Sequence, residues 1–201
     1  MIRVWLLLFL LVLSAHAATN IWVRTGEAHG IDPRLLYAIS KVESNHSPLA
    51  VSVNYKILSN VQLDKLYLML NNKKIPYNTF TKVVHIKSRN ATEAKQVIYF
   101  LEKNNYPSFD IGMMQVNNIH KETLQKSNIT LYGLLNEETN LNVAAGILWK
   151  CYIKHGSNKN AINAYNGNIV GNPYYTKVSA VLNNLLLPHE DASRRLFYRI
   201  I

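Results

Sequence analysis

The sequence predicts a mainly α-helical domain with one small β element. Of its 201 residues, 48% are hydrophobic and 17% are charged, so the chain can bury a sizeable core. Apolar residues recur at helical spacing along most of the chain, and only residues 80–87 are strand-like. At this length we expect a single folded domain.

The first residues have the pattern of a secretory signal peptide. Arg3 supplies a positive charge, residues 4–13 form an unbroken apolar run, and residues 15–17 (AHA) form a small-x-small cleavage signature. We therefore expect residues 1–17 to direct export to the periplasm and to be removed. An uncleaved anchor is the weaker alternative, because a bilayer crossing needs about 20 apolar residues.

A helix is predicted from residue 32 to residue 43. Asp32 precedes a proline, a combination that favours a helix start, and the apolar pattern predicts an end near residues 45–48. Leu36 and Ile39 lie on its buried face. Glu27 is assigned to a short polar stretch that precedes this first helix.

Two further helices have recognisable N-terminal caps. Ser59 followed by Gln62 resembles a capping box and predicts a helix over residues 59–70. Asn90 and Glu93 give the same kind of pattern before a helix over residues 90–104, whose apolar positions form one stripe. After a loop that contains Asp110, helical patterns are predicted over residues 114–125, 140–155, 159–166 and 174–187. Residues 188–201 form a basic and aromatic tail.

The net charge is strongly basic, with 22 Lys and Arg against 12 Asp and Glu and a formal charge of +10. This predicts an anionic partner such as nucleic acid, anionic lipid or an acidic polymer. Export and the spread of basic residues along the chain disfavour nucleic acid. A single cysteine, Cys151, excludes an intrachain disulfide, and the seven histidines lack the spacing of metal ligands. We expect no metal.

Glu43 is the acidic residue most suited to catalysis. It lies in the last turn of the predicted helix, at the edge of the buried stripe. Partial burial and the carbonyl end of the helix both favour a protonated carboxyl, which is the state that a general acid needs. The alternative is a solvated residue at the flank of the helix. Asp110 stands two residues before Gly112 in a predicted loop, and we interpret it first as a turn residue that bonds nearby backbone N–H groups.

Four short motifs follow one another along the chain, namely residues 37–44 (YAISKVES), 110–117 (DIGMMQVN), 161–167 (AINAYNG) and 174–178 (YYTKV). In this order they resemble the motifs of the soluble lytic transglycosylases, which share the goose-type lysozyme fold. The resemblance implies a lysozyme-like α+β domain over residues 18–187, with residues 52–107 as an inserted segment. The predicted helix over residues 90–104, which leads into residues 110–112, is similar to the arrangement in the small exported enzymes of conjugation, type IV secretion and pilus assembly.

The resemblance also implies an activity and a set of site residues. The family cleaves the β-1,4 bond between N-acetylmuramic acid and N-acetylglucosamine in peptidoglycan and releases 1,6-anhydromuropeptides without water. Glu43 would be the sole catalytic acid and base, and no cofactor would be needed. Substrate-binding roles are implied for Ser44, Gln115, Asn117, Tyr165 and Asn166. Of these, Ser44 would help to hold the carboxyl or the substrate, and Tyr165 would hydrogen-bond near Glu43.

One convincing carboxyl suits this chemistry. A retaining glycosidase needs two carboxyls about 5 Å apart, and an inverting one needs them roughly 6.5–9.5 Å apart. One carboxyl is enough if the C6 hydroxyl of the substrate attacks C1 in place of water, because the same carboxyl can give the first proton and take the second. Two alternatives stay open: a muramidase that admits water, and a non-catalytic cell-wall-binding scaffold of a secretion system. The expected partners are peptidoglycan strands and components of a secretion or conjugation apparatus, with no integral membrane segment after cleavage.

Overall fold

A computed structural model describes residues 20–167, residues 170–185 and Leu196. The predicted leader, residues 1–17, lies outside these residues, as does all of the predicted tail except Leu196. Leu196 is buried, and its carbonyl accepts a hydrogen bond from Asp32 N at 2.8 Å. None of the helices in the described ranges has the length and apolar character that a membrane crossing requires.

The described residues form eight α-helices, which confirms the mainly α prediction. In chain order these are α1 Ile21–His29, α2 Pro33–Ser44, α3 Asn60–Asn72, α4 Ala91–Lys103, α5 Lys121–Lys126, α6 Glu137–His155, α7 Asn158–Tyr165 and α8 Tyr174–Asn183. Short 3-10 helices cover Tyr55–Ile57, Asn118–His120 and Leu131–Leu135.

The β element is larger than the sequence predicts. Five antiparallel strands, in the order β2-β3-β1-β4-β5, are β1 Ala50–Asn54, β2 Tyr77–Phe80, β3 Val83–Lys87, β4 Phe109–Ile111 and β5 Val116–Asn117. The strand predicted over residues 80–87 corresponds to β3 and the last residue of β2. The other strands were missed because runs of two to five residues are too short to show a period of two.

The predicted helix caps are confirmed where a side chain meets the backbone. Asp32 accepts a hydrogen bond from Arg34 N at 2.9 Å and begins α2. Asn45, in the left-handed conformation with φ 56°, ends that helix. Ser59 and Gln62 form the reciprocal capping box that begins α3. These boundaries could be predicted because the interactions that set them are local.

Two segments differ from the sequence prediction. Glu27 lies in α1 and not on a polar stretch before the first helix, which makes α2 the second helix of the described chain. The buried residues of α1 are Thr25 and Gly26, so no apolar stripe marks this helix in the sequence. Residues 114–125 are not one helix: they turn, form β5 and a 3-10 helix, and begin α5 only at Lys121.

The segment of residues 52–107 shares the sheet and the core of the domain. It supplies β2, β3, α3 and α4, and β3 pairs along the whole of β1 from Ala50 opposite Lys87 to Asn54 opposite Val83. Leu66 of α3 is fully buried in the same hydrophobic cluster as the residues of α2. The segment therefore widens the sheet that supports the loop leading to β5.

That loop, residues 112–115, is held from α6 by one buried side chain. Asn140 is fully buried; its Nδ2 donates to Ile111 O at 2.9 Å, and its Oδ1 accepts from Met114 N at 2.8 Å. Gly112 has φ 80°, and a Cβ at this position would lie 2.3 Å from Asn140 Nδ2. The close approach of α6 therefore requires glycine at 112.

Asn140→Ala should destabilise the domain strongly, because it leaves two buried backbone groups without partners. Each unsatisfied group costs about 1–3 kcal/mol, so we expect the free energy of unfolding in urea to fall by about 2–6 kcal/mol. Asn142→Ala is the matched control, since that side chain donates to the Glu138 carbonyl one turn earlier on the same helix. It should cost less than about 1 kcal/mol. Equal losses would show that the loop does not depend on Asn140.

Candidate active site

A cavity of about 430 Å³ lies beside the last turn of α2. Five of the six site residues predicted from the sequence line it: Glu43, Gln115, Asn117, Tyr165 and Asn166. They come from α2, the 112–115 loop, β5 and the end of α7, which are far apart in the sequence. Asp110 of β4 also lines the cavity. Ser44, the sixth predicted residue, does not.

The last turn of α2 places the carboxyl of Glu43 against this cavity. The same helix buries Leu36 and Ile39 in the core, so Glu43 lies at the edge of the packed face and is only partly exposed. Tyr174 of α8, which is 5% exposed, donates a hydrogen bond from its hydroxyl to Glu43 Oε1 at 2.5 Å. The carboxyl is therefore fixed on one side and open to the cavity on the other.

The surroundings of Glu43 act on its pKa in opposite directions. Loss of hydration on burial raises the pKa from the ordinary 4.5 to about 7, and the charge of Asp110 adds to this rise. Hydrogen bonds from Tyr174 and Asn166 and the positive charge of Lys177 favour the ionised form. A carboxyl with a pKa near 7 can give up and take back a proton at neutral pH.

Asp110 is a second carboxyl in the cavity, and its interpretation as a turn residue is wrong. It lies in the middle of β4 opposite Asn117 of β5, whose Nδ2 donates to Asp110 Oδ1 at 2.7 Å. Burial raises the pKa of Asp110 to about 6. Its neighbours Phe109 and Ile111 are buried on the other face of the strand, an alternation that could have indicated this placement.

Asn117 and Gln115 contribute amide groups to the cavity wall. Besides its bond to Asp110, Asn117 Nδ2 donates to Ser108 Oγ at 2.8 Å, and Asn117 Oδ1 accepts from Ile119 N at 3.0 Å. This amide holds the neighbouring carboxyl in place. Gln115 Nε2 donates to Gly112 O at 2.8 Å. No hydrogen bond to Gln115 Oε1 is present among the described residues, so this oxygen can accept one from a ligand.

The hydroxyl of Tyr165 lies near Glu43 but bonds to the loop. Tyr165 OH donates to Met114 O at 2.7 Å, so Tyr165 hydrogen-bonds beside Glu43 but not to it. The direct partner of the carboxyl is Tyr174, which the sequence analysis missed as a site residue. Tyr174 opens the YYTKV motif and is buried on the same face of α8 as Val178, and this spacing was the available signal.

Ser44 serves the loop and not the carboxyl. Its hydroxyl donates to Met113 O at 2.8 Å and accepts from Ser47 N at 2.9 Å. Ser40 Oγ, one turn earlier on α2, donates to the same Met113 carbonyl at 3.3 Å. The prediction that Ser44 contacts the carboxyl or the substrate is therefore not supported, because both functions of its hydroxyl are used in joining α2 to the loop.

The cavity offers carboxyl, amide and phenol groups. Across the described ranges, no cluster of three or more His, Cys, Asp or Glu side chains is arranged to hold a metal ion. Cys151 lies on α6, is half-buried and lines this cavity.

Comparison with known proteins gives one match. The family described as the transglycosylase SLT domain matches residues 20–171, a range that includes Glu43, Asp110 and Asn166 and ends before Tyr174. No curated protein and no solved structure matches the chain significantly. The match confirms the resemblance to soluble lytic transglycosylases. Because it covers more than half of the chain, the chain belongs to the transglycosylase SLT domain family.

Proposed function

We propose that the protein is a peptidoglycan lytic transglycosylase that cleaves the bond between N-acetylmuramic acid and N-acetylglucosamine and leaves a 1,6-anhydro end. The observation that carries this proposal is a carboxyl with a pKa of about 7, that of Glu43, in a cavity lined by amide and hydroxyl groups. Membership of the family supports transglycosylase activity on peptidoglycan in general. The 1,6-anhydro products and the roles of individual residues do not follow from family membership and are part of our proposal.

In the first step, protonated Glu43 acts as the general acid. It transfers its proton to the glycosidic oxygen as the bond from that oxygen to C1 breaks, so the leaving sugar departs as an alcohol. Positive charge develops at C1, where the acetamido group of the substrate can stabilise it. With a pKa of about 6, Asp110 is mainly ionised at pH 7 and adds a negative potential in the same cavity.

In the second step, the Glu43 carboxylate acts as the general base. It takes the proton from the C6 hydroxyl of the muramyl residue while O6 bonds to C1 and closes the anhydro ring. The hydrogen bonds from Tyr174 and Asn166 and the charge of Lys177 stabilise the carboxylate between the two steps. Glu43 ends the cycle protonated, and no water is consumed.

Asp110 favours one second candidate, a muramidase. Hydrolytic glycosidases generally use two carboxyls, one on each side of the scissile bond. In a muramidase, water would attack C1 in place of the C6 hydroxyl. A non-catalytic scaffold has less support, since it would not require a buried carboxyl whose pKa is about 7. The chemistry of the product ends separates the two enzymatic candidates.

We further propose export to the periplasm on residues 1–17 and local remodelling of the cell wall around a secretion or conjugation apparatus. The leader pattern supports the location, and the formal charge of +10 supports attraction to an anionic polymer such as peptidoglycan.

Glu43→Gln keeps the shape of the side chain but removes the acid, so it should lower the rate of digestion of purified sacculi by about 10²–10⁴-fold. The matched control is Glu27→Gln, which makes the same substitution at an exposed position of α1. This variant should digest sacculi at the wild-type rate. Mass spectrometry of the wild-type products should find anhydromuramyl ends. Reducing ends would instead indicate a muramidase, and equal activity of the two variants would eliminate Glu43 as the acid.

The dependence of kcat/KM on pH should reflect Glu43. The acid form is lost as pH rises, so kcat/KM should fall about tenfold per pH unit above about pH 7. Tyr174→Phe removes a hydrogen bond that favours the ionised form, so the Glu43 pKa should rise and the alkaline decline should move to higher pH. Tyr175→Phe, next to it on α8, should leave the decline in place. An unmoved decline in Tyr174→Phe would contradict this role.

A further inference from the structure

A second cavity, of about 440 Å³, continues from the candidate active site along α6. We call it the side groove. Its walls are α6 on one side and α5 with the following turn on the other, and it shares four lining residues with the active-site cavity: His120, Ile147, Cys151 and Ala164. The side groove therefore adjoins the candidate active site at these residues.

The side groove has an apolar floor and a cationic rim. Leu124, Val143 and Ile147 contribute to the floor, and Lys150 and Lys154, one turn apart on α6, are exposed at the rim. None of its described lining residues is acidic, and within the described chain neither lysine forms a salt bridge. Two cations without a protein counter-ion make the groove suitable for an anionic ligand.

The charges of these lysines reach the residues that join the two cavities. Burial lowers the pKa of His120, and the positive charge of Lys150 lowers it further. Burial raises the pKa of the Cys151 thiol, and the charge of Lys154 opposes that rise. Both ammonium groups therefore act at the junction of the side groove with the active site.

We propose that the side groove binds the peptide branch of the muramyl residue, with Lys150 and Lys154 pairing with carboxylates of that peptide. This inference rests on the proposed function. The muramyl sugar at the scissile bond carries its peptide on its own lactyl ether, so the branch begins at the sugar that reacts. The apolar floor suits the alkyl parts of a peptide, and the cationic rim suits its carboxylates.

A bare saccharide fits this groove less well than a peptide. Neutral sugars are held by stacking on aromatic rings and by networks of hydrogen bonds, but no Phe, Tyr or Trp is among the described lining residues of the side groove. An uncharged sugar would also leave Lys150 and Lys154 without a partner. Further glycan along the side groove is therefore the rival occupant that the experiment must separate from peptide.

The test measures equilibrium binding to full-length Glu43→Gln, which cannot turn over its ligand. The two ligands are a soluble disaccharide that carries its peptide and the same disaccharide after removal of the peptide. We expect the peptide to increase affinity, and we expect Lys150→Gln/Lys154→Gln to reduce that increase about 3- to 10-fold. The reduction caused by the lysine substitutions should be smaller at 0.5 M salt, because the Debye length is then only about 4 Å and the charges are screened.

The matched control is Lys65→Gln/Lys95→Gln, which removes two exposed charges from α3 and α4 and should leave the peptide increment unchanged. The inference is overturned if the peptide adds no affinity, if both double variants reduce the increment equally, or if the loss is the same for the two ligands. If the wild-type protein cleaves neither sacculi nor peptide-free glycan, the proposed function fails, while the binding comparison still decides the occupant of the side groove.

Discussion

The burial of the 112–115 loop constrains the rest of the structure. Backbone inside a protein needs partners for its N–H and C=O groups, and other backbone supplies only some of them here: Gly112 N donates to Ala50 O of β1, and Gln115 N donates to Gly112 O within the loop. The other partners are side chains from three helices: Ser40, Ser44, Asn140 and Tyr165. Because these elements all supply hydrogen bonds to the backbone of one loop or adjoin it, they lie close together: α2 with Glu43, β4 with Asp110, and the end of α7. The cavity forms where these elements meet.

Within that cavity, the proposed role of Glu43 as an acid and the stability of the folded protein have opposite requirements. The unfolded chain ionises a glutamate near pH 4.5, whereas folded Glu43 keeps its proton to about pH 7. As pH rises through this interval, the unfolded state loses the proton first and is favoured, by at most about 3 kcal/mol once both states are ionised. Tyr174, Asn166 and Lys177 limit this cost by stabilising the carboxylate. In the proposed mechanism, the same contacts allow Glu43 to serve as acid and then as base.

The sequence could predict those features that depend on interactions between residues close together in the chain. The caps at Asp32 and Ser59 are set by neighbours within three residues, and both predictions are confirmed. The placement of Glu43 followed from helical periodicity and a short motif. The contact between Glu43 and Tyr174 spans 131 positions and depends on how α8 packs. The spacing of Tyr174 and Val178 could mark Tyr174 as buried, but it could not identify Glu43 as the partner. Asp110 was misread for a related reason: strand β4 has three residues, and its role depends on pairing with β5.

The central claim is that folded Glu43 retains its proton near neutral pH, and titration of that carboxyl tests it most directly. Protein labelled with ¹³C at the glutamate carboxyls can be followed by NMR from pH 3 to 9, with Glu43→Gln identifying the resonance. We expect a midpoint at about 7, well above the ordinary value of 4.5. A midpoint near 4.5 would mean that the carboxyl is hydrated and ionised at neutral pH, and the account of Glu43 as a proton donor would be contradicted.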